Sequence, residues 1–238
     1  MPPTIVLVHG AFAESSSWDG VIDPLLDAGH PVIAAHNPLR GLASDAAALS
    51  DLVRTIDGPV VLAAHSYGGM VISNVDPDAG EVVGLVYVNA FAPEPGEHPF
   101  QLSAMFPGSM LGPETSRPVP RSDGTTDLYV ASESFNEVFC QDVAAPQAAR
   151  MAVTQRPATQ EALTEPSGDR PLWKELPSWF LIGEQDHVIP AEVQRFMAER
   201  AGARRTIEVP GASHAITVSQ PEATARLILE ASAVSVSG

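Results

Sequence analysis

Short, wholly apolar runs recur along this chain with helix-patterned stretches between them, and that alternation constrains its fold more than any other feature. Thr4 to Val8, Pro31 to Ala35, Pro59 to Ala63, Val82 to Val88, Ser178 to Ile182 and Thr206 to Val209 are dominated by aliphatic and β-branched residues. Strands without polar alternation are buried on both faces. Between them apolar residues return at helical spacing, as in Trp18, Val21, Ile22, Leu25 and Leu26, a helix that Gly29 closes. Leu49, Leu52, Val53 and Ile56 predict a second helix, with Ser44 as its cap and Gly58 as its end. Val193, Phe196 and Met197 mark a further helix, and Ala223 to Leu229 a closing one. Strand, helix and strand at short intervals require right-handed crossovers. The expected fold is therefore α/β, a six-stranded, mostly parallel sheet flanked by helices.

The rhythm breaks at Ala92-Pro93-Glu94-Pro95-Gly96 and resumes only at Ser178. Residues 92–171 are rich in proline and carry short helical patterns at Ser134 to Val143 and Pro146 to Val153. No strand set is evident in this stretch, so it reads as a helical cap inserted into one core made of residues 1–91 and 172–238. With 238 residues, the chain is long enough for one sizeable core. Met105, Phe106, Met110, Leu111, Phe135 and Phe139 are too apolar for a purely solvated insertion, and part of this set is expected to line a pocket. Arg117 and Arg121 are isolated in sequence and expected in solvent.

Charge and cysteine content exclude several function classes. Acidic residues number 29 against 13 basic, a formal charge of −16 that repels nucleic acid and anionic membrane surfaces. Cys140 is the single cysteine, which leaves no intramolecular disulfide and no cysteine-based metal site. Its apolar neighbours assign it to packing. No spacing implies a metal or organic cofactor. No apolar run approaches the length of a membrane span, and the opening run Thr4 to Val8 lacks the flanks of a signal core. A cytoplasmic, reduced location is the expectation. Nothing in the sequence sets how many chains assemble, and a homodimer is compatible with it.

The chemistry gathers where strands end, which is where open α/β sheets bind ligands. Val60 to Ala64 leads into His65-Ser66-Tyr67-Gly68-Gly69, a sharp strand-to-helix turn with Ala64 and Gly68 two residues either side of Ser66. Such a turn, a nucleophile elbow, lifts the serine hydroxyl above the sheet edge. A hydroxyl needs a base, and the base an orienting acid. Of seven histidines, His214 lies just past the last strand, where a loop swings back over the sheet. His9 reads as a brace for its own loop, and His30, His36, His98 and His187 as loop or surface residues. Asp186 follows the fifth strand and is the expected acid, with Glu184 as its alternative and a helix-capping role as its bland reading. The N–H groups of Tyr67, at a helix start, and of Ala11, after the first strand, would form an oxyanion hole. Gly10 keeps the Ala11 loop close to the serine, and Phe12 lines the acyl pocket or packs in the core.

The order Ser66, Asp186, His214, with His9-Gly10-Ala11-Phe12 upstream, resembles the α/β-hydrolase superfamily over essentially the whole chain, with the first two strands of the full fold absent. Within it, the chain is similar to small cap-bearing serine esterases related to plant methylesterases and hydroxynitrile lyases. The lyases carry Thr at the position of Gly10 and Lys at that of Ala215, so the resemblance falls on the esterase side. It implies hydrolysis of a small to medium, mostly neutral carboxylic ester through an acyl-enzyme. Haloalkane dehalogenation is disfavoured because that chemistry places Asp where this chain has Ser66. The rival readings keep the scaffold and change the chemistry: a cofactor-free dioxygenase, a perhydrolase or lyase, or a ligand-binding protein without turnover.

Overall fold

The computed structural model describes residues 2–234. The chain runs β1 (Thr4–Val8), α1 (Asp19–Asp27), β2 (Val32–Ala35), α2 (Leu42–Val53), β3 (Val60–Ser66), α3 (Gly68–Ser73) and β4 (Val82–Ala90). It then leaves the sheet for α4 (Pro99–Ser103), β5 (Ser116–Pro120), β6 (Thr126–Val130), α5 (Phe135–Phe139), α6 (Ala145–Thr154), β7 (Ala158–Thr159) and α7 (Gln160–Thr164). It returns as β8 (Ser178–Gly183), α8 (Ala191–Arg200), β9 (Arg205–Val209), α9 (Ile216–Ser219) and α10 (Pro221–Val234). Short 3-10 turns at Ser15–Trp18 and Leu172–Lys174 complete the path.

Six strands form one parallel sheet in the order β2-β1-β3-β4-β8-β9. Every residue of β1, β3 and β8 is buried, because helices cover both faces. Alternate residues of each strand feed two separate apolar clusters. Val6, Val8, Leu62 and Ala64 face the cluster that includes α2, α3 and α8, while Ile5, Leu7, Val61 and Ala63 face the one under α1 and α10. Trp18 sits fully buried in the second. The strand reversal from β1–β2 to β1–β3–β4 leaves a crevice at the carboxyl ends of β1 and β3.

The structure corrects four expectations. The insertion is not without strands: β5, β6 and β7 make a three-stranded antiparallel sheet. Pro118 and Pro120 hid β5, since proline enters a sheet only on an edge strand, which is where β5 lies. Helix α2 begins at Leu42, so Ser44 falls inside its first turn, and it ends at Val53, before Gly58. The Glu165 carboxylate, from α7's end, accepts the Ala43 N–H at 3.3 Å and does the capping that Ser44 was expected to do. Arg121 is not isolated, since it pairs with Asp123 and Asp127. No helix among the described residues is long and apolar enough to cross a membrane.

The small sheet is latched to the core through the loop after β2. The Arg40 guanidinium donates to Asp127 at 2.6 Å and to the Pro157 carbonyl at 2.8 Å, while Thr159 Oγ1 donates to the Arg40 carbonyl at 2.9 Å. Asp127 is buried and pairs with both Arg40 and Arg121. Charge-assisted bonds of this kind contribute about 2 kcal/mol each. Arg40→Ala is therefore expected to lower stability by about 2–3 kcal/mol in urea denaturation and to speed proteolytic cleavage of the β5–β6 turn; an unchanged cleavage rate would show that the latch does not hold the sheet.

Candidate active site

Ser66 ends β3 with φ +56°, in the left-handed region where a side chain is strained. The turn survives because its surroundings admit no bulk. A Cβ on Gly10 would lie 2.5 Å from Ser66 Cβ, one on Gly68 would lie 2.6 Å from the Val8 carbonyl oxygen, and one on Gly69 would collide with the Phe91 carbonyl. The Phe91 N–H closes the far side by donating to the Ser66 carbonyl at 3.3 Å. Backbone-to-backbone packing of β1, β3 and β4 thus fixes where the hydroxyl points.

His214 Nε2 lies 2.9 Å from Ser66 Oγ, and His214 Nδ1 lies 2.8 Å from Asp186 Oδ2. A carboxylate only accepts, so Nδ1 carries the proton and Nε2 presents its lone pair to the serine hydroxyl. All three side chains are buried. Asp186 Oδ2 also accepts from Gln194 Nε2 at 2.9 Å, and Oδ1 accepts the N–H groups of Val188 and Ile189 at 2.8 and 2.9 Å. Four donors therefore hold one carboxylate, which both turns the chain into α8 and aims at the imidazole. Glu184, the alternative acid, is exposed and accepts the Gly211 N–H instead.

The loop that carries His214 is tied down by two residues the sequence did not single out for that purpose. Asn89, at φ +43° near the end of β4, donates from Nδ2 to the carbonyls of Ser213 and His214, and its Oδ1 accepts the Gly183 N–H at 2.6 Å. His65 Nε2 donates to the His214 carbonyl at 2.8 Å, which leaves His65 Nδ1 as a buried acceptor without a partner. The His214 ring meets the rings of His65, 4.7 Å away, and Phe139, edge-on at 4.8 Å, which also meet each other at 6.2 Å. Burial, and then the neighbouring His214, hold the His65 ring well below the usual imidazole range, so it stays neutral.

Ala11 and Tyr67 flank Ser66, and neither N–H has a partner among the loop and cap hydrogen bonds of the described residues. The Ala11 loop is braced on both sides. His9 Nδ1 donates to the Gly10 carbonyl at 2.9 Å and its Nε2 accepts the Asn37 N–H at 3.2 Å, while the Phe12 N–H donates to the Arg156 carbonyl of the insertion. Tyr67 is fixed by its hydroxyl, which donates to buried Asp45 at 2.9 Å; Asp45 in turn accepts the Arg40 N–H. Burial raises the Asp45 carboxyl above the usual carboxylate range. A lone aspartate inside α2 gave no sequence signal for this contact.

The structure divides the expected pocket residues. Phe12 and Phe139 line cavities beside the site, and Leu111 joins Phe12 at the cleft over Ser66. Phe135 is a core residue stacked on Phe139, with ring centroids 5.0 Å apart. Met105 is 39% exposed, and Phe106 lines a hollow that shares Phe100, Ser103 and Leu111 with the cleft over Ser66, without lining that cleft itself. Cys140 is buried, and burial pushes its thiol up to about 11, too high for a thiolate nucleophile near neutrality. Among the described residues no three His, Cys, Asp or Glu side chains gather as a metal site.

Residues 5–227 match the family model described as alpha/beta hydrolase family. The pyrethroid hydrolase of Sphingobium wenxiniae is 30% identical over 250 residues, 95% of this chain and 86% of that protein. Methylesterase 9 of Arabidopsis thaliana is 26% identical over 240 residues, covering 91% and 93% of the two chains. The crystal structure of polyneuridine aldehyde esterase superposes with a TM-score of 0.80 at 20% identity, covering 97% of this chain and 99% of that one.

His9 supplies a pH test of this architecture. Burial, with the nearby Arg156 charge adding to it, pushes its imidazole from 6.5 down to about 4. The unfolded chain therefore binds a proton that the folded one refuses as pH falls below 6.5, and stability drops with it. Between pH 7 and 4.5 this group alone accounts for about 2–3 kcal/mol. Urea titrations of His9→Gln should show an acid-side loss smaller by that amount, and a slope equal to that of the parent would rule His9 out.

Proposed function

Because this chain belongs to the alpha/beta hydrolase family, we propose that it is a hydrolase of carboxylic esters, working through an acyl-enzyme on Ser66 with His214 and Asp186. The observation that carries the reading is the continuous path from Ser66 Oγ through His214 to Asp186, at 2.9 and 2.8 Å, beside two unengaged N–H groups. Relatives named as esterases and hydrolases support the same reaction class.

In this mechanism His214 Nε2 removes the Ser66 proton as Oγ bonds to the ester carbonyl carbon. Charge moves to the carbonyl oxygen, which the N–H groups of Ala11 and Tyr67 receive; donors already in place there are worth about 3 kcal/mol of barrier each. The imidazolium, steadied by Asp186, then protonates the alcohol oxygen as the carbon–oxygen bond breaks. Water repeats the sequence and releases the acid. Residues 92–171 act as the cap that limits substrate size, and the substrate is a small to medium, mostly neutral ester. A reduced, cytoplasmic setting belongs to the same proposal, supported by the single, buried cysteine.

Ser66→Ala removes the nucleophile without touching any strained contact but its own. Its expected phenotype is a loss of at least about 1,000-fold in kcat on p-nitrophenyl acetate, no labelling by a fluorophosphonate, and an unchanged melting temperature. Retention of parental turnover in a folded variant would falsify the assignment. Labelling without ester turnover in the parent protein would instead favour a non-hydrolytic or ligand-binding role.

A further inference from the structure

The His214 loop is held from two sides, and one of them belongs to the insertion. On the core side, Asn89 and His65 donate to the carbonyls of Ser213 and His214. On the other side, the N–H groups either side of His214 are taken by the segment that ends α5. Ser213 donates to Asp142 Oδ2 at 3.1 Å, and Ala215 donates to the Phe139 carbonyl at 3.0 Å, a proton it shares with Ser213 Oγ. The Phe139 ring meets the His214 imidazole edge-on at 4.8 Å.

The turn around Asp186 is gripped in the same way. Gln141 Nε2 donates to the Gln185 carbonyl at 2.6 Å, and His187 Nδ1 donates to the Glu137 carbonyl at 2.8 Å. From the other arm of the insertion, the Met110 N–H reaches the His187 carbonyl at 2.7 Å and Ser109 Oγ the Val188 carbonyl at 2.9 Å. Glu137 and Phe139 belong to the last turn of α5, where carbonyls have no partner within their own helix. The acid turn and the base loop supply those partners. Gln141 shows that the arrangement has a cost: its Oε1 is buried with no hydrogen-bond partner among the described residues, so half of the amide is desolvated while the other half serves the Asp186 turn.

Ser66, by contrast, is fixed by the packed backbone of β1, β3 and β4. We propose that residues 137–142 are a positioning element for proton transfer, in which Asp142 sets the His214 loop and Gln141 sets the Asp186 turn. The insertion then governs where the base stands, besides bounding the space over the serine. The inference rests on the ester-hydrolysis reading above. Neither Gln141 nor Asp142 lines the cleft over Ser66, so each acts through His214 and not on the ester. A reacting group misplaced by about 1 Å costs on the order of 100-fold in rate. Removing one of several ties allows a smaller displacement, and His214 serves acylation and deacylation alike, so both steps slow together.

Asp142→Ala and Gln141→Ala test this, with kcat referred to sites titrated to completion by a fluorophosphonate so that only folded protein is counted. Each is expected to lower kcat about 10-fold, by the same factor on p-nitrophenyl acetate and p-nitrophenyl hexanoate, and to leave both KM values within about twofold. A loss confined to the hexanoate, a loss carried by KM, or parental kcat in either variant overturns the inference, because a segment that only shapes the substrate space would give those results. Asp142 is exposed, so truncating it opens no cavity. Asp142→Asn keeps an oxygen to accept the Ser213 N–H and is expected to retain kcat within about twofold; a loss as large as that of the alanine variant overturns the role of that bond. A parent protein that neither turns over esters nor takes the fluorophosphonate label brings down the ester-hydrolase reading and this inference together, a result distinct from an active parent whose variants lose nothing.

Discussion

Everything in the site depends on how closely three stretches of backbone approach one another around Ser66. The residue occupies a conformation that L side chains avoid, at φ +56°, and the cost of order 1–3 kcal/mol is met by packing that leaves the chain no alternative. Gly10, Gly68 and Gly69 are there because a methyl group at any of them would run into the backbone or side chain of a neighbouring strand end. The first small position of the elbow is Ala64, not glycine, and it is accommodated because it sits within β3, fully buried, where strand geometry accepts a Cβ. The order of requirements is therefore asymmetric: space is needed after the serine and in the facing loop more than before it.

Around that fixed point the histidine and its acid are held by groups from every neighbouring strand end. Asn89 from β4 and His65 from β3 grip the carbonyl of His214, while Asp186 after β8 grips its ring. Gln194 of α8 and the N–H groups of Val188 and Ile189, just before it, occupy the remaining lone pairs of Asp186. The imidazole thus has its position set through the main chain and its tautomer set through the side chain. The same division applies on the opposite side of Ser66, where His9 braces the Ala11 loop and Asp45 braces Tyr67.

Much of this was legible in the sequence because it follows from period and order. Apolar runs such as Thr4 to Val8 can only be central parallel strands, and the residues that end them can only converge at one sheet edge. Ser66, Asp186, His214, Ala11 and Tyr67 were nominated on that ground, and the fold brings all five together. What was illegible depends on distance between segments far apart in the chain. Asn89 reads as the tail of a strand until Gly183 and Ser213 are seen beside it. The β5 strand is hidden by its prolines, the start of α2 is set by a glutamate 122 residues away, and Met105 and Phe135 share the apolar signal of pocket residues while serving the surface and the core.

The insertion between β4 and β8 has a consequence for synthesis on the ribosome. Strands β1 to β4, with Ser66 and both of its neighbouring N–H donors, are complete within the first ninety residues of the chain. The base that completes the pair is 148 residues further along than the serine. On the proposed mechanism, a nascent chain therefore carries the Ser66 hydroxyl without its base throughout the making of the insertion, and gains it only once the segment bearing His214 has been made.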